Sequence, residues 1–182
     1  MSGAKRKLTI QQITINAMLA AVCAVLGYFE INTMNLKLSF ESFPVILAGM
    51  MFGPLNGALV GGIGTLIGQM VKFGLELSTP LWVIPYIIVG WVVGLYAKKA
   101  TFNNSTKEIR FIMFGSELLV FILNRISLFF YSKILFGAFS LAFVTGTMLP
   151  RLGIAVAKGL AYSIITPTIL RRLSSITHNG GR

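Results

Sequence analysis

The chain has 182 residues, of which 55% are hydrophobic and only 12% are charged. A soluble domain carries roughly 25% charged residues, and a fold this small cannot cover its surface with so few polar side chains. The composition excludes an ordinary soluble protein and a disordered segment, and the single cysteine excludes a disulfide scaffold. The bilayer is therefore the predicted solvent.

Apolar runs along the chain predict six membrane helices. A helix that crosses a bilayer needs about 20 mainly apolar residues. The uncharged stretch Ser42–Val71 breaks at Gly53-Pro54, where proline either kinks one long helix or starts a second one, and the positive-inside rule favours two helices. The predicted helices cover approximately 10–29, 41–52, 54–75, 82–97, 109–131 and 152–170. The uncharged run 134–150 is predicted to be an outer loop folded back on the bundle, because it contains Gly, Thr and Pro residues.

Basic residues cluster at the ends of the apolar runs, where they set the orientation of the helices. The clusters are Lys5, Arg6 and Lys7; Lys98, Lys99, Lys107 and Arg110; and Arg171, Arg172 and Arg182. The positive-inside rule places all three in the cytoplasm, and an even number of helices separates each from the next. The sequence thus predicts one domain over residues 1–182, an all-α integral membrane protein of the cell membrane with both termini cytoplasmic. No basic stripe with interleaved aromatic residues lies outside the apolar runs, so no nucleic-acid partner is expected.

The remaining cations and three glutamates fall in the predicted outer loops or the outer half of the bundle. They are Lys37, Lys72, Arg125, Lys133, Arg151 and Lys158, with Glu30, Glu41 and Glu76. Charge inside a membrane helix is costly and usually faces a cavity or a partner. Structural ion pairs are one interpretation. An outward-facing, net positive binding cavity for an anionic ligand is the other, and the excess of six cations over three carboxylates favours it.

Residues with small side chains recur at four-residue spacing on two predicted helices, which allows close helix approach. The first helix carries Ala17, Ala20, Ala21 and Ala24, and the third carries Gly57, Gly61, Gly64 and Gly68. We expect the glycines to pack inside the bundle. For the alanines, internal packing and contact with a partner protein both stay open.

The sequence lacks the residue patterns of common enzymes. It has no Asp, one histidine at position 178 in a polar tail, one cysteine, and no HExxH, GxSxG or Walker A motif. No catalytic residue, metal site or cofactor is predicted, and the chain has no nucleotide site of its own to energise transport. Glu117 is expected to be either a proton-coupling group or a structural partner of Lys158.

One stretch carries a family resemblance. Lys37-Leu-Ser-Phe40 leads into Phe43-Pro44, then into the segment 47–54 that ends in Phe-Gly-Pro, and then to Gly57. This pattern resembles the substrate-binding S components of energy-coupling factor (ECF) vitamin transporters. The resemblance implies six helices in membrane lipid with an outward-facing vitamin pocket. It also implies docking on a transmembrane coupling protein that works with two cytoplasmic ATPases, through the small-residue face of the first helix, with Ala17 and Ala21 matching the family motif.

Within that family the chain looks most similar to the folate-specific type. Folate has two carboxylates and a flat pterin ring, which suit cations and aromatic side chains. The predicted substrate-binding residues are Lys37, Phe40, Glu76, Trp82, Tyr86, Asn124, Arg125, Arg151 and Lys158. Among them, we expect Arg125 and Arg151 to hold the carboxylates. Pantothenate or another anionic vitamin, a small proton-coupled carrier and a membrane enzyme stay open as alternatives.

Overall fold

A computed structural model describes residues 10–33, 36–99, 106–136 and 148–179, and it contains six helices and one short hairpin. The helices are α1 (Ile10–Tyr28), α2 (Ser42–Phe52), α3 (Pro54–Phe73), α4 (Thr79–Lys99), α5 (Thr106–Phe136) and α6 (Met148–Asn179). Strands β1 (Ile31–Thr33) and β2 (Leu36–Leu38) pair antiparallel, with Ile31 opposite Leu38. The six predicted helices are confirmed, and the hairpin is an addition to the all-α prediction.

The observed helices α4, α5 and α6 are longer than their predicted apolar runs. Helix α5 continues to Phe136 and α6 begins at Met148, so both ends of the predicted outer loop 134–150 are helical. The positions between them lie outside the described residues. Hydropathy marks only the part of a helix that matches the hydrocarbon layer, whereas a helix can continue beyond it wherever its backbone hydrogen bonds persist.

Four helices of the described chain, α1, α4, α5 and α6, are long and apolar enough to cross a membrane. Helix α2 has only 11 residues, but Val45, Ile46 and Ala48 are fully buried within the bundle. Its short length is therefore compatible with a membrane protein, because its backbone lies in protein rather than in lipid. Gly53 separates α2 from α3 with a φ of 90°, a conformation that favours glycine.

Glycines let α3 pack closely against both α1 and α4. A Cβ atom added to Gly57 would collide with the backbone carbonyl of Gly90 on α4. A Cβ atom on Gly64 would lie 2.6 Å from the Cβ of Cys23 on α1. The prediction that these glycines pack internally is confirmed, and α3 occupies the position between α1 and α4.

The four small residues of α1 divide between two faces. Ala20 is buried, and its carbonyl oxygen would lie 2.9 Å from a Cβ atom on Gly64. Ala24 lies against Gly68 in the same way, because a Cβ atom added to Gly68 would lie 3.5 Å from the Cα atom of Ala24. Ala17 and Ala21 are exposed. The docking surface stays a prediction: Ala20 and Ala24 contact α3, whereas Ala17 and Ala21 are exposed.

Candidate ligand-binding site

A polar cleft opens between α4, α5 and α6. Its empty volume is about 620 Å³, a figure that includes open solvent at its mouth, and the enclosed space that a water molecule can enter is about 80 Å³. Six of the nine side chains predicted to bind substrate line this polar cleft, namely Trp82, Tyr86, Asn124, Arg125, Arg151 and Lys158. Residues from three helices that are distant in sequence therefore meet in one place.

Helical periodicity explains why these side chains share the cleft. On α5, Glu117, Phe121 and Asn124 are four and three residues apart, a spacing that puts side chains on one helix face. On α6, Arg151, Ala155 and Lys158 follow the same rule. Because α5 and α6 pack against each other, the two polar faces meet along the cleft.

Lys158 and Glu117 form an ion pair in the wall of the cleft. Nζ of Lys158 lies 3.0 Å from Oε2 of Glu117, whose side chain is only 1% exposed. The same ammonium group donates to Oγ of Ser42 at 3.4 Å and lies 5.8 Å from the ring centroid of Tyr162. A structural partnership of Glu117 with Lys158, one of the two sequence-based interpretations, is confirmed. The second carboxylate oxygen of Glu117 is buried without a hydrogen-bond partner within the described part of the chain.

The cleft carries a positive charge excess. Arg125, Arg151 and Lys158 line it together with one carboxylate, that of Glu117. The Arg125 guanidinium also lies 5.5 Å from the ring centroid of Phe121, a distance that permits a cation–π contact. Even when Glu41, which lies directly behind the wall, is counted, the three cations outnumber the two carboxylates. An anionic ligand would therefore be favoured over a cationic one.

Aromatic rings and a buried amide complete the lining. Trp82 packs against Tyr131 with their ring centroids 5.7 Å apart. The buried Tyr86 lines the cleft and donates its hydroxyl hydrogen to Oε1 of Glu41. Oδ1 of Asn124 is buried, and among the described residues it has no hydrogen-bond partner. Stacking faces beside unpartnered acceptors suit a flat ring that carries N–H donors.

Two of the other three predicted binding residues, Phe40 and Glu76, are not among the described residues that line the cleft. Phe40 packs near Tyr162, with ring centroids 6.4 Å apart, and Glu76 lies exposed in the turn between α3 and α4. There Oε2 of Glu76 accepts a hydrogen bond from Ser78 at 3.1 Å. The side chain of Lys37 lies outside the described residues. The structure thus brings neither Phe40 nor Glu76 to the lining of the cleft.

Six lining residues are not in the set predicted to bind substrate: the aliphatic Val120, Ile154 and Ala155, and also Ser39, Glu117 and Phe121. A sequence signal exists for two of the last three. Phe121 and Glu117 precede Arg125 by four and eight residues, so they project from the same side of α5. Ser39 lies between β2 and α2. It reaches the cleft because of the path that the chain takes there, and no local sequence pattern predicts that path.

Comparison with known proteins identifies the family. The family model described as "ECF-type riboflavin transporter, S component" matches residues 7–175. The chain belongs to this family. S components are binding subunits of transporters, so the expectation that the chain is not an enzyme is confirmed by its family. With its apolar helices, this S component is a multi-pass membrane protein.

Relatives with less specific descriptions are also similar to this S component. It is 34% identical over 102 residues to a UPF0397 protein of Streptococcus pneumoniae serotype 19F (strain G54). The match covers 54% of each chain, so this S component spans about half the length of that relative. It is 30% identical over 130 residues to a UPF0397 protein of Clostridium perfringens (strain ATCC 13124), covering 69% of this chain and 68% of the relative.

Solved structures share the fold. FolT bound with folic acid aligns with a TM-score of 0.65 at 23% identity, covering 87% of this chain and 91% of that one. The S component of a bacterial ECF transporter aligns with a TM-score of 0.64 at 23% identity, covering 92% and 97%. An S component for biotin from an ECF-type ABC transporter gives 0.61 at 18%, covering 94% and 95%. The all-α membrane fold predicted from the sequence is confirmed by these likenesses.

Proposed function

We propose that this S component captures an anionic, flat vitamin in the polar cleft and delivers it through a transmembrane coupling protein and two cytoplasmic ATPases. The observation that carries the proposal is the lining of the cleft, where Arg125, Arg151 and Lys158 face Trp82 and Tyr86 across one cavity. Cations supply charge-assisted hydrogen bonds to carboxylates, and the aromatic rings supply stacking surfaces.

Folate is the first candidate ligand. Its two carboxylates match the bidentate geometry of Arg125 and Arg151, and its pterin would lie against Trp82 and Tyr86. FolT, which has the same fold, is described as bound with folic acid. Pantothenate, an anionic vitamin without an aromatic ring, would leave the stacking faces unused, so the lining supports it less well.

Riboflavin is the second candidate, for two reasons. The matching family model carries riboflavin in its description. The buried acceptors Glu117 Oε1 and Asn124 Oδ1, for which the described residues provide no hydrogen-bond partner, suit a ring with N–H donors. Because riboflavin has no carboxylate, its binding would not depend on the two arginines, and this difference separates the candidates.

Titration calorimetry on the purified protein tests both ligands. We expect folate binding to weaken roughly ten- to a hundredfold in Arg125→Ala and in Arg151→Ala, because each loses a charge-assisted hydrogen bond. 6-Hydroxymethylpterin, which keeps the pterin ring but has no carboxylate, should be insensitive to both changes. Arg110→Ala, an exposed cation near the start of α5, serves as the matched control.

The outcomes discriminate among the candidates. Riboflavin binding that is unchanged in both arginine variants would support the second candidate and contradict the first. Mass spectrometry of small molecules released from the purified protein adds a direct identification. If neither vitamin binds the parent protein and no vitamin is released, the proposed vitamin site is contradicted.

The proposed orientation in the membrane follows from the two ends of the bundle. The cleft uses residues from the first half of α4, whereas the exposed Lys98 at the end of α4, and Lys107 and Arg110 at the start of α5, lie at the opposite end. With that basic end in the cytoplasm, the cleft faces outward and both termini are cytoplasmic. Ala17 and Ala21 then offer an exposed small-residue face for the coupling protein.

A further inference from the structure

Glu41 is a buried carboxylate at the junction of three helices. It precedes the first residue of α2, and its side chain is 2% exposed. Oε1 accepts the hydroxyl hydrogen of Tyr86 from α4. The backbone carbonyl of Glu41 accepts a hydrogen bond from Sγ of Cys23 on α1, at 3.3 Å. Burial of a carboxylate is costly unless its oxygens are paired or hydrogen-bonded. The buried position of Glu41 therefore suggests that this side chain has a specific role.

Helix α1 leaves room for this carboxylate at Gly27. A Cβ atom on Gly27 would lie 2.7 Å from Oε2 of Glu41, and its three nearest neighbours would all be Glu41 atoms. Any side chain at this position would push the carboxylate away from α1 and disturb the hydrogen bond that it accepts from Tyr86. Glycine at this position thus leaves space for the end of the Glu41 side chain, which a Cβ atom would displace.

The next residue connects the same junction to the other side of the cleft. Oγ of Ser42 lies 3.4 Å from Nζ of Lys158 and 3.5 Å from the hydroxyl of Tyr162. The start of α2 thus touches two cleft residues, Tyr86 and Lys158, while it contacts α1 through Glu41.

We propose that Glu41 is a positioning residue that holds Tyr86 in the wall of the cleft and couples ligand binding to the packing of α1. The proposal rests on the proposed function of the cleft. A ligand that stacks on Tyr86 stabilises the arrangement in which the tyrosine hydroxyl reaches Glu41, and this arrangement keeps Glu41 against α1. Coupling between two sites is reciprocal. A change on α1 that displaces Glu41 must therefore also lower the affinity of the cleft for the ligand.

The α1 contact with Glu41 lies on a different face of the helix from the exposed alanines. Cys23 and Gly27, four residues apart, are buried on one face, whereas Ala17 and Ala21 are exposed on the other. The contacts of Glu41 therefore link the cleft to the helix that carries the proposed docking face. Through these contacts, ligand binding in the cleft can affect the packing of α1.

The first test changes α1 without touching the cleft. We expect Gly27→Ala to weaken the binding of folate or riboflavin, whichever binds the parent protein, by roughly ten- to a hundredfold, the size expected when a hydrogen bond to a charged group is lost. Gly115→Ala is the matched control, because a Cβ atom there meets nothing within 4 Å. Equal affinity in Gly27→Ala and the parent protein, with both folded by circular dichroism, would overturn the proposal.

The second test needs no ligand to be informative, because Cys23 is the one cysteine of the chain and is fully buried. Its alkylation by N-ethylmaleimide reports separation of α1 from α3 and from Glu41 at the start of α2, the elements that its side chain contacts. Tyr86→Phe keeps the ring but removes the hydroxyl that holds Glu41, so we expect Cys23 to react at least threefold faster, whereas Gly115→Ala should match the parent rate. An unchanged rate in Tyr86→Phe refutes the connection from α4 to α1, even if neither vitamin binds.

Ligand should protect Cys23 in the parent protein. If opening of α1 abolishes binding, ligand at ten times its dissociation constant slows alkylation by up to about elevenfold. In Tyr86→Phe, at the same multiple of that variant's own dissociation constant, we expect little protection. Full protection in both proteins would show that the ligand acts on α1 by another route and would overturn the role of Glu41. If neither the parent protein nor Tyr86→Phe binds a ligand, the proposed function is contradicted instead. The alkylation rates of Cys23 without ligand then still decide whether Tyr86 is connected to α1 through Glu41.

Discussion

The ion pair between Lys158 and Glu117 provides the sharpest energetic prediction. Glu117 is 1% exposed and Lys158 is 12% exposed, with 3.0 Å between Nζ and Oε2. Removal of one partner from a buried pair costs about 3–5 kcal/mol, because the other charge stays buried without compensation. We expect Lys158→Met to approach this range, since the carboxylate of Glu117 is almost fully enclosed.

Glu117→Gln should cost less than Lys158→Met. The lysine that remains keeps its hydrogen bond to Ser42 and its position near the Tyr162 ring, and it is the more exposed partner. A loss of about 1–3 kcal/mol is expected for this variant. In the double variant no buried charge of the pair is left, so its cost should be smaller than the sum of the single costs by about 1–3 kcal/mol.

The free energies of unfolding can be measured by titrating the purified protein with dodecyl sulfate in mixed micelles and following the tryptophan fluorescence. Lys133→Met, which removes an exposed cation from α5, controls for the general effect of losing a positive charge. Additive costs in the double variant would refute direct coupling between the two side chains. A larger cost for Glu117→Gln than for Lys158→Met would refute the argument from burial.

Three further predictions concern packing and topology. Ala17→Trp should abolish vitamin uptake in cells while it leaves ligand affinity of the isolated protein within about twofold, because the residue is exposed and distant from the cleft; equal loss of binding would contradict the docking face. Gly90→Ala should destabilise the protein by about 1–3 kcal/mol in the same unfolding assay, since the added Cβ atom meets the backbone of α3, and Gly115→Ala, which has open space, should not. A cysteine at position 76, in place of the exposed Glu76, should react with an impermeant maleimide outside intact cells, whereas one replacing Lys98 should not; the reverse pattern would invert the proposed orientation.

Much of the fold could be predicted from the sequence because its determinants are local. The break between α2 and α3 follows from Gly53 and Pro54, and the observed helices Ser42–Phe52 and Pro54–Phe73 begin and end within two residues of their predicted limits. The length of an apolar run is a property of consecutive residues, and the bilayer requires that length directly. The hairpin β1–β2 escaped prediction, because its three-residue strands are too short to produce a readable pattern.

The candidate site was only partly predictable. Arg125, Arg151 and Lys158 were recognisable because charge is rare in membrane helices and usually faces a cavity. Glu76 was selected as a carboxylate that could accept hydrogen bonds from a pterin ring, and the structure places it in an exposed turn. Sequence reasoning also left the partner of Glu117 open, because one sequence gives no distance between residues that are 41 positions apart on different helices.

Which face of each helix is used was decided only by the tertiary structure. The alanines of α1 have the same side chain and the same spacing in sequence, yet Ala20 is buried and Ala21 is exposed. Their environments differ because the glycines of α3 pack against one face of α1 and leave the other face exposed. Which face is covered depends on how closely the backbones of the two helices can approach each other. The sequence alone determined that the chain is an all-α membrane protein with six helices. The tertiary structure decided that Glu41 lies behind Tyr86, because long-range contacts depend on how the helix surfaces pack and no local pattern encodes them.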